Sequence, residues 1–248
     1  MEKDTSLRRM EKLRLLAKEL EIDLSDDQLG LFDDFYDRLV EKNKVMNLTA
    51  ITELDDVIVK HFLDSISLVK AVDLTGQDTC ERILDIGTGA GFPGIPLRIT
   101  FPHHRYVLAD SLNKRIKFIE EYIDDHQFDN IETVHGRAED LARMELYREK
   151  FDLCVSRAVA NLSSLSEYAL PFVRTGGSFV SYKAGGAGQE IADAEKAIRM
   201  LGGRIEKKIT FVLPHTDLER MLVVIRKEKP TPKRYPRKAG TPSREPLR

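Results

Sequence analysis

Only two cysteines, Cys80 and Cys154, occur in the 248 residues, too few for a disulfide framework or a cysteine-ligated metal. No apolar run approaches the ~18 residues that a membrane-spanning helix needs. The N-terminus, Met1-Glu2-Lys3-Asp4, lacks the basic-then-apolar plan of a secretory signal, so a cytoplasmic, reduced setting is expected. Histidine is sparse, and His103, His104, His126 and His215 show no metal-ligand spacing. No internal repeat is visible. What is present, 42% hydrophobic and 32% charged residues, is the composition of a globular chain long enough for one full core with extensions. A monomer that binds neither metal nor membrane is expected.

Net charge is also small, at −2, which looks unlike a nucleic-acid binder until the charge is located. Residues 226–248 carry nine Lys or Arg against Glu228 and Glu245, and hold five of the ten prolines. Proline disfavours regular structure, so the sequence predicts an extended basic tail able to follow a phosphate backbone. Lys233, Arg234, Arg237 and Lys238 are its candidate RNA contacts. A solvated end that merely aids solubility has the same composition, and both readings stay open. As an RNA arm, its removal would weaken RNA binding.

The order of elements is legible. Residues 1–75 read as a helical extension: Leu13, Leu16, Ala17 and Leu20 share a helical face, as do Leu29, Phe32, Tyr36, Leu39 and Val40. Ser25 with Gln28 forms a capping box for the second helix. A third helix, from Thr52, carries Leu54, Val57, Ile58, Phe62, Ile66 and Val69 on its apolar stripe. His61 falls on that stripe as a partly buried, hydrogen-bonded residue, with Asp64 as its partner one turn on. Gly76-Gln77-Asp78 punctuates the chain. Residues 76–229 then alternate short β-rich runs with helical stretches, and residues 230–248 form the tail. The last two β runs are separated only by Pro214–Arg220, too short for a crossover helix, so they pair as a hairpin. The expected fold is α/β: a seven-stranded, mostly parallel sheet with a C-terminal antiparallel hairpin, the class I (Rossmann-like) S-adenosylmethionine-dependent methyltransferase plan.

Ile83–Ile86 is a buried-type strand followed directly by Gly87, Gly89 and Gly91. A dinucleotide fingerprint needs a further glycine where Phe92 stands, and no G-K-[ST] of a phosphate-binding loop follows. Asp85-Ile86-Gly87-Thr88-Gly89-Ala90-Gly91 has instead the form that cradles the methionine and ribose of S-adenosylmethionine. Asp110, at the tip of the next strand, can accept hydrogen bonds from both ribose hydroxyls or, more simply, cap the helix near Asn113. After the third strand, Ala138 and Glu139 either meet the adenine edge or begin a solvated acidic helix. Phe92 packs against the donor or fills the core beneath the loop. Pro93 sits at a helix start.

Several segments together carry a resemblance. Asn47-Leu48-Thr49-Ala50, His61-Phe62-Leu63-Asp64-Ser65, Asp85–Pro96, Asp110-Ser111-Leu112, Ser156-Arg157-Ala158 and Tyr235–Pro242 occur in the order found in the glucose-inhibited division protein B family. The chain resembles that family from about Asn43 to the C-terminus. The family comprises bacterial small-subunit rRNA guanine-N7 methyltransferases. The resemblance implies donor contacts at Gly87, Phe92, Asp110, Ser111, Leu112, Ala138, Glu139 and Arg157. It implies as target guanine-527, in the 530 loop of 16S rRNA within the small ribosomal subunit.

The chemistry can be checked against the residues. An enzyme that methylates amino groups carries (N/D)-P-P-(Y/F) after strand four, where this chain has Ser156-Arg157-Ala158-Val159. A cytosine-C5 enzyme needs a nucleophilic cysteine, and Cys154 lies inside a strand as a small core residue. Guanine N7 needs neither device, because its lone pair is available and it carries no proton. No general base is therefore predicted. Arg157, at the substrate mouth, holds O6 or a phosphate, or else forms a surface ion pair. Lys183 binds RNA phosphate or is plain surface. Lys114 and Arg115 solvate a helix. Another RNA such as tRNA, or a non-catalytic ribosome-assembly role, stays as the alternative.

Overall fold

The computed structural model describes residues 2–76, 81–157 and 160–247, with residues 2–7 as backbone only. Cys80 and the Gln77-Asp78 punctuation therefore lie outside the described residues. Two long helices come first, α1 (Glu2–Lys18) and α2 (Asp26–Met46). The capping box forms as the sequence predicts: Gln28 N donates to Ser25 Oγ, and Ser25 N donates to Gln28 Oε1. Asn47 ends α2 in the left-handed conformation.

The third helical stretch starts at Leu54, not Thr52, and is irregular. α3 (Leu54–Val57) runs into a π-helical turn (Ile58–Leu63), then α4 (Asp64–Ile66) and a 3-10 turn (Ser67–Lys70). A π turn shifts the facing of the residues it carries and is frequent at functional sites. Here it brings the carbonyls of Lys60 and His61 to a distant arginine, Arg157, which donates to both.

The remaining chain alternates strand and helix: β1 (Arg82–Ile86), α5 (Gly94–Thr100), β2 (Arg105–Asp110), α6 (Asn113–Asp125), β3 (Ile131–His135), α7 (Ala138–Leu141), β4 (Phe151–Arg157), α8 (Leu162–Ala169), β5 (Val173–Ala184), α9 (Gly188–Met200), β6 (Gly203–Val212), β7 (Glu219–Lys227) and α10 (Thr241–Arg244). The sheet order is β3-β2-β1-β4-β5-β7-β6. β1 to β5 pair in parallel, while β7 is antiparallel to both β5 and β6.

Strand alternation sends neighbouring residues to opposite faces, and each face has its own core. Ile83, Leu153, Val155, Val180 and Val224 pack with α1, α2, α5 and α6. Leu84, Ile86, Cys154, Phe179, Val223 and Ile225 pack with α8 and α9. The N-terminal helices thus join α5 and α6 on one face of the sheet: Leu29, Phe32 and Phe35 of α2 share a core with Ile83 of β1.

The C-terminal segment corrects an expectation. It is not a free arm but is docked across the α8 face, with Tyr235 buried in that core and α10 following. The proline-rich backbone forms no ladder there, so arginine side chains satisfy its carbonyls. Arg148 donates to Thr231 O at 2.8 Å and Tyr235 O at 3.0 Å. Two residues counted with the tail, Arg226 and Lys227, belong to β7, and the Lys227 side chain is wholly buried against the carbonyls of Leu170 and Val173.

Candidate functional site

A cavity of about 530 Å³ opens at the C-terminal ends of β1, β2, β3 and β4, where this sheet topology reverses direction between β1 and β4. The turn after β1 forms its floor. Gly87 N and Thr88 N both donate to Ala109 O, which ties the turn to the end of β2. Gly87, Gly89 and Gly91 all take positive φ, but they serve different ends. A Cβ on Gly89 would project into open space, whereas one on Gly91 would meet Ile95 Cγ1 at 2.8 Å and Phe35 Cζ at 3.3 Å. Gly91 is therefore a packing glycine and is not among the cavity-lining residues.

Asp85 braces the same loop. Its Oδ2 accepts from Thr88 Oγ1 at 2.6 Å and from Gly94 N at 2.8 Å, so the carboxyl clasps the two ends of the loop from beneath. Burial pushes that carboxyl up to about 7, and it does not reach the cavity. Leu112 too stays outside the lining, with a half-exposed side chain. Its backbone N–H donates to Asp110 Oδ1 at 2.8 Å.

Asp110 faces the cavity and is nearly buried. Its Oδ2 accepts from Gly89 N at 2.9 Å and from Arg115 Nη1 at 3.3 Å. The first turn of α6 has no side-chain cap, so the capping alternative for Asp110 does not apply. Ser111 and Ala138 line the same cavity, as does Arg115, which the sequence placed on a solvated helix. Glu139 is buried too: its Oε1 accepts from Gly240 N at 2.8 Å.

Another part of the lining centres on Arg157. Its Nη1 donates to Asp64 Oδ2 at 2.9 Å and to Lys60 O at 3.0 Å, and its Nη2 donates to His61 Nδ1 at 3.1 Å. Asp64 Oδ1 accepts from Arg220 Nε at 2.8 Å, so one buried carboxylate holds two arginines. The guanidinium lies 5.2 Å from the Phe92 ring, which stacks on His61 at 4.4 Å. The expected His61–Asp64 pair does not form. The π turn aims Asp64 at the arginines, and His61 instead bonds Thr49 Oγ1 through Nε2 at 2.9 Å. Arginine can only donate, so Nδ1 is the acceptor and Nε2 carries the proton. Burial, and then Arg157, lower the His61 pKa to about 3, so the ring is neutral.

Two candidate RNA contacts have partners within the chain. Lys183 is no open surface cation, because its ammonium donates to Glu190 Oε1 at 2.7 Å and Ala160 O at 3.0 Å within a mostly buried pair. Arg237 donates through its backbone N, Nε and Nη2 to the fully buried Glu167 carboxylate. Lys233, Arg234 and Lys238 are exposed. Cys154 is buried in the core, and burial raises its thiol far above the ordinary range.

Thr49, Tyr168, Gly240 and Ser243 line the cavity without having been singled out from the sequence. Thr49 and Gly240 do lie in two of the motifs that carry the family resemblance, which was the available signal. Among the described residues no helix is long and apolar enough to cross a membrane, and no cluster of three or more His, Cys, Asp or Glu suits a metal ion.

Residues 28–218 match the GidB family model, described as rRNA small subunit methyltransferase G. The protein of that description from Lachnoclostridium phytofermentans is 53% identical over 93% of this chain and 94% of its own length. Its counterparts from Alkaliphilus oremlandii and Listeria monocytogenes are 47% and 46% identical, each over more than 90% of both chains. Among solved structures, a chain of the Haloferax volcanii complex between the Trm112 methyltransferase activator and a methyltransferase superposes with a TM-score of 0.55. It is 13% identical and covers 78% of this chain and 98% of that one. P. horikoshii TYW2, in complex with MeSAdo, gives 0.52 at 12% identity over 67% of this chain and 62% of that one. At such identities the likeness is one of fold, that of the class I methyltransferases. The matched family model and full-length relatives together place this chain in the rRNA small subunit methyltransferase G family.

Proposed function

We propose that the protein transfers a methyl group from S-adenosylmethionine to N7 of a guanine in 16S rRNA of the small ribosomal subunit, guanine-527 of the 530 loop. Gly87, Gly89, Phe92, Asp110, Ser111, Ala138 and Glu139 would hold the donor. The open space facing Gly89 is a cradle that a Cβ would fill, and Asp110 presents a carboxylate beside it, as a ribose requires. When bound, S-adenosylmethionine supplies an electrophilic methyl group on a sulfonium.

The observation that carries the reading is the state of the ionisable groups around the mouth. His61, the imidazole in the lining, is held neutral with both ring nitrogens bonded and a pKa of about 3, which makes it a poor proton acceptor. Glu139 and Asp110 are engaged by backbone N–H groups. Such a site suits an acceptor atom that has no proton to lose. Guanine N7 is one: its in-plane lone pair attacks directly, and the chain's part is to place the base and stabilise the charge that moves onto it. Arg157, fixed by Asp64 and His61, is set to address O6 or an adjoining phosphate rather than N7 itself. Exposed Lys233, Arg234 and Lys238 offer phosphate contacts, and Lys238 is two residues from the cavity-lining Gly240.

The test incubates the purified protein with methyl-labelled donor and small subunits from cells lacking the modification, then maps the product by chemical cleavage at N7-methylguanine. Label at a single guanine N7 of 16S rRNA is expected. Label on tRNA, on protein or on an amino group, or no label, would overturn the proposal.

A further inference from the structure

The basic C-terminal segment touches the cavity that the glycine turn opens. Gly240 and Ser243 line it together with Glu139 and Tyr168, across a chain separation of 101 residues between Glu139 and Gly240. We propose that residues 231–245 form a working wall of the methyl-donor pocket, holding Glu139, Tyr168 and Ser243 as a polar set that reads the donor's heterocyclic base. This rests on the assignment of the cavity to S-adenosylmethionine.

The segment is latched at several points. Arg237 grips Glu167 through its backbone N at 2.7 Å, Nε at 3.0 Å and Nη2 at 2.7 Å, and Glu167 is fully buried. A carboxylate at such a depth is tolerated only with its partner in place, so the tail and α8 are obligate neighbours. Ser164 Oγ donates to Pro242 O at 2.7 Å, and Tyr235 anchors the upstream end in the core. Between these anchors the chain turns at Gly240, whose φ of 82° aims its N–H at Glu139.

The consequence lies in what the latch orients. Gly240 holds Oε1 of Glu139, so the carboxylate has one oxygen fixed and Oε2 available as an acceptor for an exocyclic amine. Tyr168 and Ser243 line the same wall, and Ser243 Oγ donates to Gly240 O at 3.0 Å, which leaves the serine oxygen as an acceptor beside the tyrosine hydroxyl. A base edge that presents an amino group beside a ring nitrogen offers the complementary pattern. A free RNA-binding arm would need none of these contacts. Lys233 and Arg234 precede the latch sites in the chain, Lys238 lies between them, and all three are exposed and available to phosphate.

The test uses the full-length protein and calorimetric binding of S-adenosylhomocysteine and its inosine analogue, in which a carbonyl replaces the exocyclic amine. Arg237→Gln is expected to weaken S-adenosylhomocysteine binding about ten-fold while small-subunit affinity stays within about two-fold. In the wild type, S-adenosylhomocysteine is expected to slow amide exchange across residues 235–245. Because Arg237→Gln leaves Glu167 unpaired, Ser243→Ala and Tyr168→Phe supply the second measurement. Both leave the Arg237–Glu167 and Ser164–Pro242 contacts in place and are expected to lose much of the preference for the adenine analogue over the inosine one. Unchanged donor affinity in Arg237→Gln, unaltered exchange in the segment, or preserved base preference in both milder variants would overturn the proposal. So would weakened subunit binding with intact donor binding. Gly89→Val separates the levels: retained S-adenosylhomocysteine binding there would sink the donor-pocket assignment itself, whereas its loss leaves the wall to be judged on its own results.

Discussion

The glycine-turn side of the cavity is assembled from neighbours in the chain, whereas the sides facing it are assembled from residues far apart. Asp85 clasps Thr88 and Gly94, three and nine residues away, and Asp110 reaches Gly89 across 21. Arg157, by contrast, meets Asp64 and His61 across 93 and 96 residues, and Glu139 meets Gly240 across 101. The first side needs one β-α-β unit, β1 to β2, in place. The others require the N-terminal helices packed on one side of the sheet and the C-terminal segment docked on α8 on the other. The glycine-turn side is thus local, and the sides lined by Arg157 and by Glu139 are global.

That contrast can be broken most severely at Asp64. Asp64→Ala leaves Arg157 and Arg220 without their shared counter-ion in a mostly buried setting, and is expected to cost about 3–5 kcal/mol of stability in urea unfolding. A cost within about 0.5 kcal/mol, the range of ordinary surface substitutions, would mean that the far wall does not depend on this carboxylate.

His61→Asn probes the same wall through pH. In the folded protein His61 titrates at about 3, below its ordinary 6.5, so the unfolded chain takes up the proton first on acidification. Its contribution to stability is therefore complete above about pH 6.5 and lost as pH falls toward about 3. Across that window the stability difference between wild type and His61→Asn should shrink by on the order of 3 kcal/mol. A difference that stays constant with pH would show that His61 is not buried as a neutral ring.

Asp110→Asn, on the local side, should have the smallest effect of the three on the fold and act on binding alone. Loss of the carboxylate is expected to weaken S-adenosylhomocysteine about ten-fold with the unfolding midpoint nearly unchanged. A large loss of stability instead would place Asp110 with the globally assembled walls.

Particular residues mark how far the sequence could be read. Ile83–Ile86 followed by glycines at 87, 89 and 91 announces a strand and a tight turn, because only short-range sterics are involved. The Ser25–Gln28 capping box and the terminal hairpin were legible for the same reason. Asp85 and Gly91 carry the motif pattern yet serve the loop rather than the cavity; a one-dimensional motif does not separate residues that face a ligand from those that brace the backbone behind it. Lys183 and Arg237 illustrate the opposite limit. Each reads as an available cation until α9 brings Glu190 or α8 brings Glu167 to it. The tail's proline content argued against regular structure, and it forms little; that left open whether its carbonyls would be solvated or, as here, taken by Arg148.

By itself, the sequence determined the strand-turn-helix cradle, the alternation that makes a parallel sheet with a closing hairpin, and the lack of an amine-holding motif after strand four. These follow from local dihedral preference, hydrophobic period and residue identity. Tertiary structure alone decided which charges are free and which are held, that His61 is neutral and bonded to Arg157 and Thr49, and that the C-terminal segment borders the cavity. Such outcomes depend on burial and on partners some 70 to 100 residues away, and a charge takes its chemical meaning from the partner and dielectric that folding supplies.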